Sequence, residues 1–330
     1  MSKTLVTGGA GFIGLFLAKR LRERGHEVHL LDNFSRGVMD ADLHDFSCQP
    51  GVRIIRADAL NQNEIASLPV DYEVIYHLAA IIGVAHVIKR PYAVLWDNLS
   101  MLSNFLLLAR RQRNLRRFVF ASTSEVYAGT LEAFGMRIPT PEDTPITLPD
   151  LKRPRTSYML SKIYGEAMCR HSEVPFTIVR PHNFYGPRMG LSHAIPELLK
   201  KSYDAAEGAE IPVFSPNHQR TFCYIADAVE LIHLSAEAPQ GEGATLNIGN
   251  QRPEVSIGDL VALVLKTTGK KQGIKQEADT PGSPRRRCPD MTATFQLTGY
   301  EPKVSLENGI LKTYEWYLSR VFRGGELSAR

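Results

Sequence analysis

The segment Thr7-Gly8-Gly9-Ala10-Gly11-Phe12-Ile13-Gly14 constrains this chain more than any other. It follows a short apolar run, Lys3–Thr7, and opens an amphipathic stretch, Phe12–Arg24, that Gly25 closes in C-cap position. A glycine-rich turn between a strand and a helix offers an anion a set of backbone N–H groups and the positive end of the helix dipole. Gly8 suits the tight turn, Gly11 lets backbone approach a phosphate, and Gly14 permits close packing of helix on strand, with Phe12 and Ile13 carried on the same turn. Alone the pattern is weak. Between a strand and a helix, with an acid about twenty residues on, it is the signature of a dinucleotide cradle. That acid is Asp32, at the end of the second apolar run. A carboxylate there accepts both ribose hydroxyls and repels a 2′-phosphate, so the reading is NAD rather than NADP. Asn33, Ser35 and Arg36 follow it and are assigned to the cofactor, although an arginine so placed could also hold a phosphate.

The first half alternates short apolar runs with helical patterns. Lys3–Thr7, Glu27–Leu31, Val52–Arg56, Glu73–His77, Phe118–Ala121 and Phe176–Val179 read as strands, and Phe12–Arg24, Asn98–Arg111 and Tyr158–His171 as helices. That rhythm predicts an α/β fold with a doubly wound parallel Rossmann sheet. Beyond residue 180 proline, glycine and polar residues become common, which predicts a small discontinuous C-terminal substrate domain. The expected division is 1–180 plus about 221–250 for the NAD-binding domain, and 181–220 plus 251–330 for the other. Asp58 and Ala59 after the third strand, Leu78, Ala79 and Ala80 after the fourth, and Asn98 are assigned to the cofactor. A helix-capping role for Asp58 is an equal alternative.

Composition excludes several classes. A net charge of +4 is too small to argue for nucleic acid, and no apolar run approaches the roughly 20 residues that span a membrane. Cys48, Cys169, Cys223 and Cys288 are scattered, so no zinc motif or disulfide framework is expected, and reduced thiols point to a cytoplasmic protein with no leader.

A second motif, Tyr158-Met159-Leu160-Ser161-Lys162, puts a phenol and an ammonium four residues apart on one helix face. A phenol of pKa about 10 is a poor base at neutral pH. An ammonium and an oxidised nicotinamide beside it would both lower that value. The phenolate could then take a proton from a sugar hydroxyl while hydride leaves. With these residues on the page the chain resembles an extended short-chain dehydrogenase/reductase of the nucleotide-sugar epimerase/dehydratase family. The likeness runs through the glycine loop, Asp32, His77-Leu78-Ala79-Ala80, Ser122-Thr123-Ser124-Glu125-Val126-Tyr127, the Tyr158–Lys162 pair, the stretch from Arg180 to Arg188, and the stretch from Arg220 to Asp227.

The resemblance implies that Thr123 binds the sugar 4-hydroxyl beside Tyr158, that Lys162 also grips the nicotinamide ribose, and that NAD is tightly bound and recycled. It implies diphosphate contacts at Asn183, Arg220 and Arg287. Relatives oxidise the sugar, usually at C4, and then diverge. Thr123-Ser124-Glu125 is similar to the triplet of UDP-glucuronate decarboxylases and of GDP-mannose dehydratases, with Ser124 and Glu125 steering the outcome and Arg188 or Arg287 placing a carboxylate. The expected activity is UDP-glucuronate decarboxylation, ahead of UDP-sugar 4-epimerisation, 4,6-dehydration and a non-catalytic NAD-binding scaffold. A UDP-sugar is the expected partner, and a homodimer through a four-helix bundle the expected assembly.

Overall fold

A computed structural model of the chain describes residues 2–280 and 283–323, without the side chains of residues 84–86. Its centre is a seven-stranded parallel sheet. The strands are β1 (Lys3–Thr7), β2 (Glu27–Asp32), β3 (Val52–Arg56), β4 (Val74–His77), β5 (Arg117–Ala121), β6 (Phe176–Pro181) and β7 (Thr245–Ile248), in the spatial order β7-β6-β5-β4-β1-β2-β3. The order reverses at β1, which pairs with β2 on one side and β4 on the other. Ligands of such sheets bind at the carboxyl ends of the strands flanking that point.

The continuous apolar runs are explained by burial on both faces. Side chains alternate along a strand, so Val6, Val74, Tyr76 and Val119 face one layer, while Leu5, Ile75, Phe118 and Phe120 face the other. The first layer holds Leu15, Leu17 and Leu21 of α1 (Phe12–Glu23) and, farther along the chain, the buried face of Ile225–Glu237. The second holds Met101, Leu102 and Phe105 of α2 (Pro91–Arg110), and Cys169 of α3 (Thr156–Arg170). We call the Ile225–Glu237 helix α4.

Two helices start earlier than their apolar patterns suggest. Pro91 occupies the first turn of α2, a position that suits its missing N–H. The α3 helix begins at Thr156, which puts Tyr158 in its first turn. Beyond β6 the described residues form three small sheets, in one of which Gln219–Arg220 lies between Val255–Ser256 and Arg286–Arg287. The helices Ala194–Asp204, Ile257–Thr268 and Leu306–Tyr317 pack around them. Ile195, Leu199, Leu260 and Ile310 join the same apolar cluster as α1, so the core is continuous from the Rossmann sheet into the C-terminal layer. Residues 324–330 of the expected second domain lie outside the described residues. Among the described residues no helix is long and apolar enough to cross a membrane.

Candidate active site

The glycine loop closes on itself before α1 starts. The Gly11 N–H donates to Gly8 O at 3.1 Å, and Gly8 has a φ of +69°. A Cβ on Gly14 would stand 2.2 Å from Gly8 O, so only glycine fits there. The α1 N-cap is Gly11, with no side-chain cap and no acidic residue in the first turn. Helices beginning after Asp40, Asn61, Ser256 and Ser305 all carry side-chain caps. The α1 N-terminus therefore keeps free N–H groups at the switch point, where a pyrophosphate fits and no local carboxylate opposes it. Across the gap, the Gly8 Cβ position is 3.1 Å from the Ala79 backbone, and Ala79 N–H donates to Thr7 Oγ1 at 3.1 Å. The small Ala79 thus lets the chain after β4 touch the loop.

Asp32 accepts from Ala10 N–H at 3.0 Å and from Phe34 N–H at 2.8 Å, one bond to each oxygen. Each oxygen keeps a second lone pair for a ribose hydroxyl. Asn33 makes a local turn by accepting from Ser35 N–H, and both are exposed. Arg36 extends away from β2 to donate to Ile82 O at 3.3 Å, and its charge reaches the Tyr158 phenol. Asp58 accepts from Leu60 N–H in a turn beside buried Ala59. The cap of the next helix is Asn61, not Asp58.

At the end of β5, Thr123 caps a short 3₁₀ turn, Ser124–Tyr127, by accepting from Glu125 N–H at 3.2 Å. The Thr123 hydroxyl and the Glu125 charge both act on the Tyr158 phenol, so the three residues share one site. Burial and the Glu125 charge push the phenol's pKa up, against the smaller pull of Thr123 and Arg36. Lys162 is buried, donates to Ala121 O at 2.7 Å, and stands 4.9 Å from the Phe120 ring centroid and 5.9 Å from that of Tyr158. Burial pulls its pKa down to about 8. The expected lowering by the ammonium and an oxidised nicotinamide together belongs to the cofactor-bound protein; in this structure Lys162 donates to a backbone carbonyl and the phenol sits above its ordinary value.

The other candidates make contacts within the protein. Asn98 accepts from Ile81 N–H at 2.7 Å and donates to Ile81 O and to Ser161 Oγ, bracing α2 against α3. Arg188 lies against the glycine loop. Its guanidinium is buried, pairs with Asp40 at 2.6 Å and reaches the carbonyls of Ala10, Gly11 and Val38, so it clamps the glycine loop. Arg220 and Arg287 are register partners in one small sheet, yet Arg220 donates to the carbonyls of Gln219, Pro284 and Arg285 and to Ser283. Burial and the Arg287 charge lower its pKa to about 10. Burial pulls the Arg287 pKa down, and the Glu125 charge opposes that. Asn183, at φ +43°, donates to Thr221 O at 2.9 Å and ties the end of β6 to the Arg220 strand.

Sequence reading missed one buried network. Arg180 pairs with Glu166 of α3 at 2.7 Å and donates to the Tyr127 hydroxyl, while Ser122 donates to Glu166 at 2.6 Å. Tyr127 and His182 both bond Asn247 Oδ1. Arg180 and Tyr127 were in view only as parts of longer motifs; the charge of Arg180 in an apolar strand was the available signal. His182 is a packed, neutral imidazole with its pKa lowered to about 3 by burial.

The sequence model of the NAD dependent epimerase/dehydratase family matches residues 4–249. The UDP-N-acetyl-alpha-D-glucosaminuronate decarboxylase of Bacillus cytotoxicus is 30% identical over 328 residues, covering 96% of this chain and 97% of that one. The UDP-glucuronic acid decarboxylase 2 of Arabidopsis thaliana is 32% identical over 97% of this chain and 69% of its own length. Among solved structures, the UDP-glucuronic acid 4-epimerase of Bacillus cereus, in complex with UDP-glucuronic acid and NAD, superposes with a TM-score of 0.81 at 27% identity, over 96% of this chain and 99% of that one.

Proposed function

The chain belongs to the NAD-dependent epimerase/dehydratase family and modifies a nucleotide sugar with NAD, and from that premise we propose that it decarboxylates a UDP-hexuronate. The carrying observation is Glu125. Its charge acts on both the Tyr158 phenol and the Arg287 guanidinium, and it lies in the triplet Thr123-Ser124-Glu125. Reversing hydride transfer at C4 needs one proton carrier. A second acid–base group beside the first fits a reaction that moves another proton after C4 oxidation. The two decarboxylases named above are consistent with this.

The glycine loop, Asp32 and Lys162 would hold NAD, which would supply the hydride acceptor at C4 and later the donor. Tyr158 takes the proton of the 4-hydroxyl and Thr123 holds the same oxygen. Loss of carbon dioxide from the resulting β-keto acid would leave an enolate, and Glu125, with Ser124 beside it in the chain, would relay a proton from water to C5. Tyr158 then returns its proton to O4. Arg220, Arg287 and Asn183 neutralise and orient the diphosphate at the small sheet, so the C-terminal layer is the nucleotide-sugar half and the Rossmann sheet the cofactor half.

A second reading, 4-epimerisation of the same uronate, is favoured by the likeness to the Bacillus cereus structure. Incubation with UDP-glucuronate separates the two: carbon dioxide and a UDP-pentose support decarboxylation, and a mass-neutral C4 epimer replaces it. Tyr158→Phe should lower turnover about 10²–10⁴-fold while the purified protein keeps its NAD absorbance. Full activity in that variant would remove Tyr158 as proton carrier.

A further inference from the structure

Two buried imidazoles stand on the far side of the molecule from the glycine loop. His26 follows α1 and immediately precedes β2, at the amino ends of the strands. His233 lies on α4 with Glu237 one turn later, hence on the same helix face. The His26 and His233 rings meet edge to face, 5.6 Å between centroids. One donor atom from each of His26, His233 and Glu237 lies within 4.8 Å of the others. His26 is 8% exposed and His233 5%, and Nδ1 of each is buried with no hydrogen-bond partner. The hydroxyl of Tyr76 on β4, which feels the Glu237 charge, is buried and unpartnered as well. Buried polar atoms are nearly always satisfied, so two orphaned imidazole nitrogens in a cluster with one carboxylate call for a missing partner.

We propose that His26, His233 and Glu237 bind a divalent cation of the zinc class. Two imidazole nitrogens and a carboxylate oxygen are a donor set zinc accepts, with water as the fourth ligand. Metal–ligand distances of about 2.1 Å require the three donors to draw together slightly, and rotation of the half-buried Glu237 side chain supplies that. The surrounding charges are Glu73, Arg22 and Arg116 around His26, and Glu230 and Arg24 around His233. Arg116 bonds both oxygens of Glu237 but also Glu73, and a carboxylate oxygen has a second lone pair for a metal. The ion would pin the α1–β2 turn to the C-terminal turn of α4. The sequence offers no cysteine spacing for such a site; it forms from residues more than two hundred positions apart.

The test uses the untagged, full-length protein, stripped with chelator and dialysed against Zn²⁺. The expected result is one Zn²⁺ per chain by elemental analysis, a higher thermal midpoint with Zn²⁺, and tetrahedral absorption bands when Co²⁺ replaces it. Glu237→Gln should weaken Zn²⁺ binding at least tenfold, and H26N/H233N should abolish both binding and the thermal shift. Retained NAD in these variants shows that the fold survives. No saturable Zn²⁺, or binding that persists in H26N/H233N, overturns the proposal, as does binding lost on replacing the exposed Cys48 by serine.

Discussion

Lys162 carries a cost that its place in the site explains. Its ammonium is buried with one carbonyl acceptor and two aromatic faces, and its pKa falls from 10.5 to about 8. Between those values the unfolded chain binds more protons than the folded one, so this lysine's contribution to stability rises with pH through that window, and the full penalty is felt below about pH 8. Lys162→Met should therefore raise stability at pH 7, on the order of 1–3 kcal/mol after loss of the bond to Ala121, with the gain vanishing above about pH 10.5. Urea unfolding at pH 7 and pH 10 checks the sign, and turnover should fall in the same variant. Glu125 acts in the opposite sense on its neighbour. Its negative charge raises the Tyr158 pKa, so Glu125→Gln should shift tyrosinate formation at Tyr158 to lower pH, read by ultraviolet titration with Tyr158→Phe as the blank. A shift to higher pH would mean that the carboxylate does not face the phenol. At this scale the sequence was legible where function depends on spacing. Gly8, Gly14, Asp32, Tyr158 and Lys162 take their meaning from near neighbours in the chain. Arg188 and Asn98 do not: their partners are Asp40 and Ile81, and a guanidinium or an amide has no mark that says whether it will meet a ligand or another part of the protein.

The elements that hold the site are joined by buried polar ties rather than by apolar packing alone. Asp40–Arg188 links the segment after β6 to the glycine loop, with both side chains under one-tenth exposed. Glu166–Arg180 links α3 to β6, and through Ser122 to the end of β5. Breaking such a pair by removing one member leaves a buried charge and typically costs about 3–5 kcal/mol, whereas replacing both with apolar groups is near neutral. Arg188→Met should thus destabilise the protein by about 3–5 kcal/mol and weaken NAD binding through the loosened loop. Arg188→Met with Asp40→Leu should recover most of the stability. Urea midpoints for the four members of the cycle measure the coupling, and additive effects would show that the pair stabilises nothing. The strands were legible because parallel strands covered on both faces are short apolar runs. The early start of α2 was not, because Pro91-Tyr92-Ala93 reads as a loop until the proline is seen to sit at a helix N-terminus.

Over the whole molecule the sheet order follows from alternating strands and helices, while the C-terminal layer does not. Its strands are mostly two residues long and pair with segments far away, as Gln219–Arg220 does with Val255–Ser256 and Arg286–Arg287, so no local period announces them. Assembly is argued from what the fold leaves uncovered. Tyr92, Trp96 and Leu107 on α2 and Tyr164 on α3 are exposed, Tyr92 at 77% and Trp96 at 61%. Tyr92 and Trp96 are one turn apart, and α2 packs directly on α3 through its other face. Large apolar side chains gathered on paired helices mark an association surface. A two-fold axis would set the same two helices of a second copy against them, making a four-helix interface of self-complementary type. Trp96→Glu places a carboxylate at the middle of that surface without touching the core or the site, so it should give a monomer that still holds NAD. Light scattering should give twice the chain mass for the parent protein and once for the variant, and a parent chain that scatters as a monomer at micromolar concentration removes the pairing.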